Sequence, residues 1–261
     1  MTLIGAAQRE GSMSTAAMIV RIAKTSPRSK ARAAGFFWLM TVLAGSYAAT
    51  GDSLIVAGDA AATATNILAN EFTYRLALAA NIVAGACYLA ATVLVYDLLK
   101  PVNRNLSMLA AFFSVVGCAI GGVNFVLHLS PLVVLGGAPY LVVFTAQQLQ
   151  ALSLAFLGVR TLAFFISHIF FGLHCLLVGY LILGSTFLPR FIGALMVFAG
   201  LGWLTMGFSN LLSPSFGHLL VPYIVAPGAI GEISITLWFL VFGVNVERWK
   251  EQANASTNGQ G

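Results

Sequence analysis

Acidic, imidazole and amide side chains inside long apolar segments are the residues of this chain that could do chemistry. Glu232, in the run GAIGEISITLW, is the only acidic residue well inside such a segment. A lone carboxylate in apolar surroundings must be protonated, paired or hydrated. It therefore indicates either a structural hydrogen bond or ion pair with a histidine or asparagine, or a site for a proton, a cation or an amine.

Histidines and asparagines are the other polar groups in these segments. His168 and His174 are six residues apart, so one helix does not direct both rings to one metal as an i, i+4 pair would. His128 lies at a depth similar to that of His168 on another segment, which leaves a haem bound by these two histidines as an open alternative. Asn81 and Asn124 are more typical of hydrogen bonds between helices than of ligand contacts.

Two arginines, Arg75 and Arg160, stand at the starts of apolar segments, where their long stems can reach the membrane surface. The predicted ligand-binding residues are Glu232, His174, His168, Asn81, Asn124, His128, Arg75 and Arg160. No HExxH, GxSxG or glycine-rich phosphate loop occurs, and no lysine lies inside an apolar segment to form a retinal-type Schiff base. We predict no catalytic residue and no metal site, and we favour a non-enzymatic role.

The composition predicts how these residues are positioned. Of the 261 residues, 59% are hydrophobic and 8% are charged, against about 25% charged in soluble domains. So few charges cannot cover a water-soluble surface, and the remainder must face lipid. The apolar runs are continuous rather than alternating, which predicts an all-α integral membrane bundle with spans of about 20 residues.

Six membrane spans are predicted, with boundaries at 34–52, 75–98, 106–129, 161–184, 190–211 and 223–245. With the N-terminus inside, all of the 13 basic residues except Arg75 and Arg160 lie on the cytoplasmic side. A seventh span at 131–146 would place Arg190 outside and spoil this pattern. Both termini are therefore predicted to be cytoplasmic, in a bacterial inner membrane, and anionic lipid explains the basic residues better than nucleic acid does.

Around the transmembrane domain, 33–246, we predict a basic, poorly ordered tail at 1–32 and a disordered tail at 247–261. Two long outer loops are predicted at 53–74 and 130–159. In the first, Asp59 is placed to cap a short helix that runs to Asn70. In the second, Thr145 and Gln148 form a predicted capping box, and Gly158 is the predicted break before the fourth span.

Helical spacing places the polar residues on faces that they share with small residues, which is typical of buried interfaces. Asn81 shares a stripe with Gly85 and Tyr88, and Asn124 shares one with Gly121. At about 1.5 Å per residue, Asn81, Asn124, His128 and His168 lie in the outer half of the membrane, Glu232 near its middle and His174 deeper. The sequence therefore predicts a polar cluster in the outer half of the bundle.

Several segments resemble one bacterial membrane family, catalogued as domain of unknown function 4386, over roughly residues 30–246. They are SKARAAGFFWL, GDAAATATNILANEFTYR, LLKPVNRNLSMLAAFF, FFGLHCLLVGYLILGSTFLPRFIG and GEISITLWFLVFGVN. The resemblance implies the fold and the membrane location, and it marks Gly58, Asp59, Arg75, His174 and Glu232 as family motif positions. Ser114 stands where relatives often have an arginine, so no anion site can be carried over to this chain.

Three functions follow as hypotheses. The first is binding or transport of a small molecule or ion in an outward-facing polar pocket centred on Glu232. The second is an accessory subunit that binds a membrane-protein partner, in which the polar stripes only hold helices together. The third is an intramembrane redox protein or enzyme, with a haem held by His128 and His168.

Overall fold

The structure is a computed structural model that describes residues 26–258, and this range is helical with no strand. Its elements are α1 (Pro27–Asp52), α2 (Ala60–Ala69), α3 (Glu71–Leu99), α4 (Arg104–His128), α5 (Ser130–Val134), a 3-10 turn (Pro139–Leu141), α6 (Ala146–Gly184), α7 (Arg190–Leu212), α8 (Pro214–Val241) and α9 (Val246–Asn258). Six helices in this range, α1, α3, α4, α6, α7 and α8, are long and apolar enough to cross a membrane. The predicted six-helix membrane bundle is confirmed.

These six helices form a closed ring. Going around it, α1 packs on α3, α3 on α4, α4 on α6, α6 on α7, α7 on α8 and α8 back on α1. Side chains that point away from the ring are apolar and exposed, as lipid-facing side chains must be; Val93, Phe112 and Ile230 are all at least half exposed. Because the ring is closed, side chains that point inward from all six helices meet in one central space.

Helix α6 packs closely on α7 through glycines. A Cβ atom on Gly179 would lie 2.7 Å from the carbonyl oxygen of Gly193 and 2.7 Å from the amide nitrogen of Val197. One on Gly200 would lie 2.8 Å from the carbonyl oxygen of Gly172. Backbones this close leave no room for a side chain, which is how helices without a hydrophobic driving force associate in lipid.

The outer loops contain more helix than their composition predicted. Asp59 caps α2 through the amide of Ala62, and Thr145 and Gln148 form the capping box at the start of α6, so both predicted caps are confirmed. The predicted break at Gly158 is wrong, because α6 runs unbroken for 39 residues. Packing of α2 and α5 on the outer part of α6 stabilises this extension, with Leu157 buried at the contact.

Three other boundaries differ from those predicted. Pro27 at the first turn of α1 starts the helix inside the predicted tail, where Lys30 forms an ion pair with Asp97 of α3. Pro214 starts α8 earlier than the predicted sixth span, and Gly243 with a φ of 68° ends it earlier. Residues 1–25 and 259–261 of the predicted tails lie outside the described residues.

The predicted disorder at 247–261 is wrong for residues 247–258, which lie in α9. The side chain of Asn245 accepts a hydrogen bond from the amide of Arg248 and so starts the helix. Trp249 then donates to the carbonyl oxygen of Leu98 at 2.9 Å, and Gln252 accepts from Thr186. These contacts fix the helix against the ends of α3 and α6.

Candidate functional site

A cavity of about 430 Å³ lies inside the ring of helices, within the range of about 300–1,000 Å³ that is usual for small-molecule pockets. All six long helices contribute to its wall. The lining residues are Thr41, Gly45, Ala48, Ala49, Asp52, Asn81, Ala84, Gly85, Tyr88, Cys118, Gly121, Asn124, Phe125, Arg160, Phe164, Ser167, His168, Phe171, Trp203 and Glu232. Apolar and aromatic residues make up the larger part of this lining, and eight of the twenty residues have polar side chains.

The structure brings five of the predicted site residues to this cavity: Glu232, His168, Asn81, Asn124 and Arg160. They come from α8, α6, α3 and α4, so neither chain proximity nor one helix face explains their meeting. It follows from the closed ring, which turns the polar stripe of each helix towards the same space. The other three predicted residues do not line the cavity.

Glu232 lies in the part of the cavity formed by α7 and α8. Its Oε1 atom accepts a hydrogen bond from Trp203 Nε1 at 3.1 Å and one from the thiol of Cys175 at 3.6 Å. Gly228, one turn before Glu232, has no side chain because the indole of Trp203 fills that space. Within residues 26–258, no arginine, lysine or histidine forms an ion pair with this carboxylate.

His168 forms part of an aromatic wall. Its ring lies 4.0 Å from that of Phe164, 5.1 Å from that of Trp203 and 5.8 Å from that of Phe171, measured between centroids. Its Nδ1 atom is 2.7 Å from the carbonyl oxygen of Phe164, one turn earlier in α6. This hydrogen bond fixes the ring orientation, so that a rigid aromatic surface faces the cavity.

The two asparagines differ in what they contact. Asn124 is buried and its Nδ2 donates to the carbonyl oxygen of Arg160 at 3.1 Å, which ties α4 to α6. Asn81 is half-buried on α3, and its side chain has no hydrogen bond to any other described residue. Asn124 therefore holds the wall together, as the helix-contact interpretation predicted, whereas the amide of Asn81 is free to meet the contents of the cavity.

The outer end of the cavity carries an ion pair between α6 and α1. Arg160 Nη1 lies 2.6 Å from Asp52 Oδ1, and the side chain of Arg160 is 9% exposed while that of Asp52 is 52% exposed. The cavity therefore reaches close to the outer surface at Asp52. From its place at a predicted helix start, Arg160 was expected to extend to the membrane surface. Instead, its side chain stays nearly buried and is neutralised by Asp52.

We expect Asp52→Asn to lower the free energy of unfolding by about 1–3 kcal/mol, because the nearly buried guanidinium of Arg160 loses its charged partner. The matched control is Glu71→Gln, which removes the carboxylate from the exposed Arg75–Glu71 pair and should cost no more than about 0.5 kcal/mol. Thermal unfolding of the purified variants in the same detergent measures both. Equal shifts in Tm would contradict the role of the Asp52–Arg160 pair.

The remaining predicted residues lie elsewhere. Arg75 pairs with Glu71 on the surface of α3. His174 is buried and its Nδ1 lies 2.9 Å from the carbonyl oxygen of Ala110 on α4. His128 is also buried, stacks on the ring of Tyr74 with centroids 4.0 Å apart, and contacts the carbonyl oxygen of Tyr74 through Nε2.

These positions bear on the haem hypothesis. His128 and His168 do not line a common cavity, and the Nε2 atom of His128 is occupied by a backbone carbonyl. A bis-histidine haem needs two imidazole nitrogens that face one cavity, and this pair does not provide them. Among the described residues, no group of three or more His, Cys, Asp or Glu side chains is placed to hold a metal ion either.

Tyr88 lines the cavity next to two other buried polar side chains. Its ring centroid is 6.0 Å from that of His174 and 6.4 Å from that of Trp38. Among the described residues, His174 Nε2 is buried without a hydrogen-bond partner, and the Tyr88 hydroxyl and Trp38 Nε1 are buried with no partner other than each other. Such groups are usually satisfied by ligands or ordered water. His174 therefore belongs to the polar surroundings of the cavity although it does not line it.

The predicted set lacked many residues around the cavity, among them Asp52, Trp203, Tyr88 and Cys175. Asp52 was predicted as the last residue of the first span, without a role, and it is the last residue of α1. Tyr88 was recognised on the polar stripe of α3 without a role. Trp203 could have been found from its place among the glycines of α7, because a large indole between small residues must fill a space on a neighbouring helix.

Comparisons with known proteins find a matching family and a relative. The model of the family described as Domain of unknown function (DUF4386) matches residues 33–243. A relative from Archaeoglobus fulgidus, described as an uncharacterized protein, is 30% identical over 113 residues. That match covers 43% of this chain and 53% of the relative, so the chain spans about half the length of this relative. No solved structure matches the chain.

Proposed function

The chain belongs to the family described as Domain of unknown function (DUF4386). We propose that this multi-pass membrane protein binds a small molecule in the cavity between its six long helices. The family description names no activity, so the site alone supports the proposal. One observation carries it. Glu232, a carboxylate without an ion-pair partner among residues 26–258, faces a cavity of about 430 Å³ at membrane depth.

A carboxylate inside the membrane costs free energy, and such residues usually mark functional sites. If Glu232 only held helices together, both of its oxygens would accept hydrogen bonds from neighbouring helices. Instead, both of its hydrogen bonds fall on Oε1, and the residue lines the cavity beside His168 and Asn81. This arrangement supports a binding site. Transport is a further possibility that the same site would serve, since midplane sites are typical of transporters.

A ligand screen tests the proposal. We expect at least one compound from a set of small amines, metal ions and lipids to raise the Tm of the purified protein, and Glu232→Gln to show a smaller shift at the same concentration. Gln has nearly the same shape as Glu, so the variant changes charge rather than packing. If no compound raises the Tm of either protein and Glu232→Gln is merely less stable, the cavity is structural and the accessory-subunit hypothesis takes its place.

We further propose that the chain lies in the cytoplasmic membrane of a bacterium with both ends inside. Six crossings place the two ends on one side, and the excess of basic residues at the ends and in the inner loops supports the cytoplasmic side. We expect green fluorescent protein fused after Gly261 to fluoresce in cells and alkaline phosphatase fused there to be inactive. Active phosphatase at that position would contradict this orientation.

A further inference from the structure

Two hydrogen-bond acceptors without partners face the cavity on either side of Trp203. Both donors to Glu232 bind Oε1, so Oε2 has no hydrogen bond within residues 26–258. His168 Nδ1 contacts the carbonyl oxygen of Phe164, which can only accept, so this nitrogen carries the hydrogen atom. In the neutral ring, Nε2 is then an acceptor, and it too lacks a partner in that range. The cavity therefore offers two acceptors to its contents.

When Glu232 is ionised, the lining carries one negative charge that no other side chain balances. The lining contains three charged side chains, of which Asp52 and Arg160 neutralise each other at the outer end. Glu232 is the third, and no cation among the described residues lies within ion-pair distance of it. In surroundings of low dielectric constant, a carboxylate strongly favours a positive counter-charge. A ligand that donates hydrogen bonds and carries a positive charge satisfies both requirements.

The rest of the lining favours an organic cation over a metal ion. Metal ions such as Ca²⁺ take six or more oxygen ligands, whereas here a single unpaired carboxylate is surrounded by rings. The ring centroids of Phe171 and Tyr88 are 4.9 Å apart. The aromatic wall continues from Phe171 through His168 to Phe164 and Trp203. Aromatic faces attract ammonium groups and also pack against the carbon skeleton of an organic ligand.

We propose that the ligand class is a primary or secondary organic ammonium, with its N–H groups donated to Glu232 Oε2 and His168 Nε2 and its carbon skeleton packed on the aromatic wall. The inference rests on the proposed function, because it names what binds in the same cavity. A quaternary ammonium has the charge without the N–H donors, and an alcohol has a donor without the charge. These two compound classes therefore separate the two parts of the proposal.

The test is a calorimetric titration of the purified full chain with primary alkyl- and arylalkylamines of increasing length. Each amine is compared with the alcohol and the trimethylammonium compound of the same skeleton. We expect the best amine to bind at least about tenfold more tightly than both counterparts, as charged hydrogen bonds allow. Glu232→Gln should remove this advantage while alcohol binding stays unchanged. The control Glu71→Gln, at an exposed pair on α3, should keep it.

The other outcomes are distinguishable. If trimethylammonium compounds bind as tightly as the primary amines, donation of N–H groups is not required and the proposal is overturned. If alcohols bind as tightly, the charge of Glu232 is not used; the ammonium class is then wrong, while a small-molecule site in this cavity remains supported. If no compound of the three series binds, and the wider screen finds none, both the ammonium class and the proposed function fail.

Discussion

Gly179→Leu is expected to destabilise the bundle by about 3 kcal/mol, the upper end of the usual cost of overpacking and the largest loss that we predict for a single substitution. A Cβ at this position would lie 2.7 Å from backbone atoms of Gly193 and Val197, and backbone atoms cannot rotate away as a side chain can. Helix α6 must therefore move away from α7 along their whole contact. Thermal unfolding in detergent and the monodisperse fraction on size exclusion measure the loss.

The matched control for this variant is Gly158→Leu in the same helix. A Cβ on Gly158 would have no heavy atom within 4 Å, and the residue is exposed. Because leucine favours helix by up to about 1 kcal/mol over glycine, this variant should be as stable as the wild type or slightly more so. Equal Tm values for the two variants would show that the close approach of α6 and α7 is not a source of stability.

Gly121→Phe is expected to abolish ligand binding without loss of stability. Gly121 lines the cavity on α4, and a Cβ placed there would meet no heavy atom within 4 Å. A phenyl ring at this position therefore extends into the cavity and occupies the volume that a ligand needs. Isothermal titration with the tightest-binding compound of the screen should show no heat of binding, whereas the Tm without ligand should not fall.

The neighbouring residue supplies the control. Gly122 also has open space at its Cβ position, but it does not line the cavity. Gly122→Phe should therefore bind ligand as the wild type does. Gly45→Phe, which enters the cavity from α1, should behave like Gly121→Phe. Wild-type affinity in both cavity-filling variants would place the ligand elsewhere in the protein.

The polar stripes show how far sequence reasoning reached. Asn81 and Asn124 could be assigned to inward helix faces because each repeats with glycine at helical spacing, and both line the cavity. Glu232 was identified because a carboxylate in an apolar run has few explanations. For the two asparagines, the periodicity of a single helix was enough to predict the inward face, since each stripe of small and polar residues had to face the interior of the ring.

The histidines show what periodicity cannot decide. His174 and His128 lie on buried faces as predicted, yet their rings contact backbone carbonyls of Ala110 and Tyr74 rather than the cavity. Which neighbour a buried side chain contacts depends on the rotation and order of helices around the ring. The sequence alone does not reveal this rotation and order of the helices. The same reason hid the donation from Trp203 to Glu232, which joins α7 to α8.

Helix ends were the other source of error. Asp52 stands at the end of the first predicted span, but its position in the chain does not show which cation its carboxylate contacts. Here the guanidinium of Arg160 lies 2.6 Å from Asp52 Oδ1 and ties the end of α1 to α6. Residues 247–258 are helical for a similar reason, because Trp249 is anchored to the end of α3.

The most direct test of the central claim, that a small molecule binds in the cavity at Glu232, is infrared difference spectroscopy of the purified protein when the tightest-binding compound is added. We predict a ligand-induced change in the carboxyl stretching region that is present in the wild type and absent in Glu232→Gln at concentrations that saturate both. A difference spectrum of Glu232→Gln that superimposes on that of the wild type would contradict the claim.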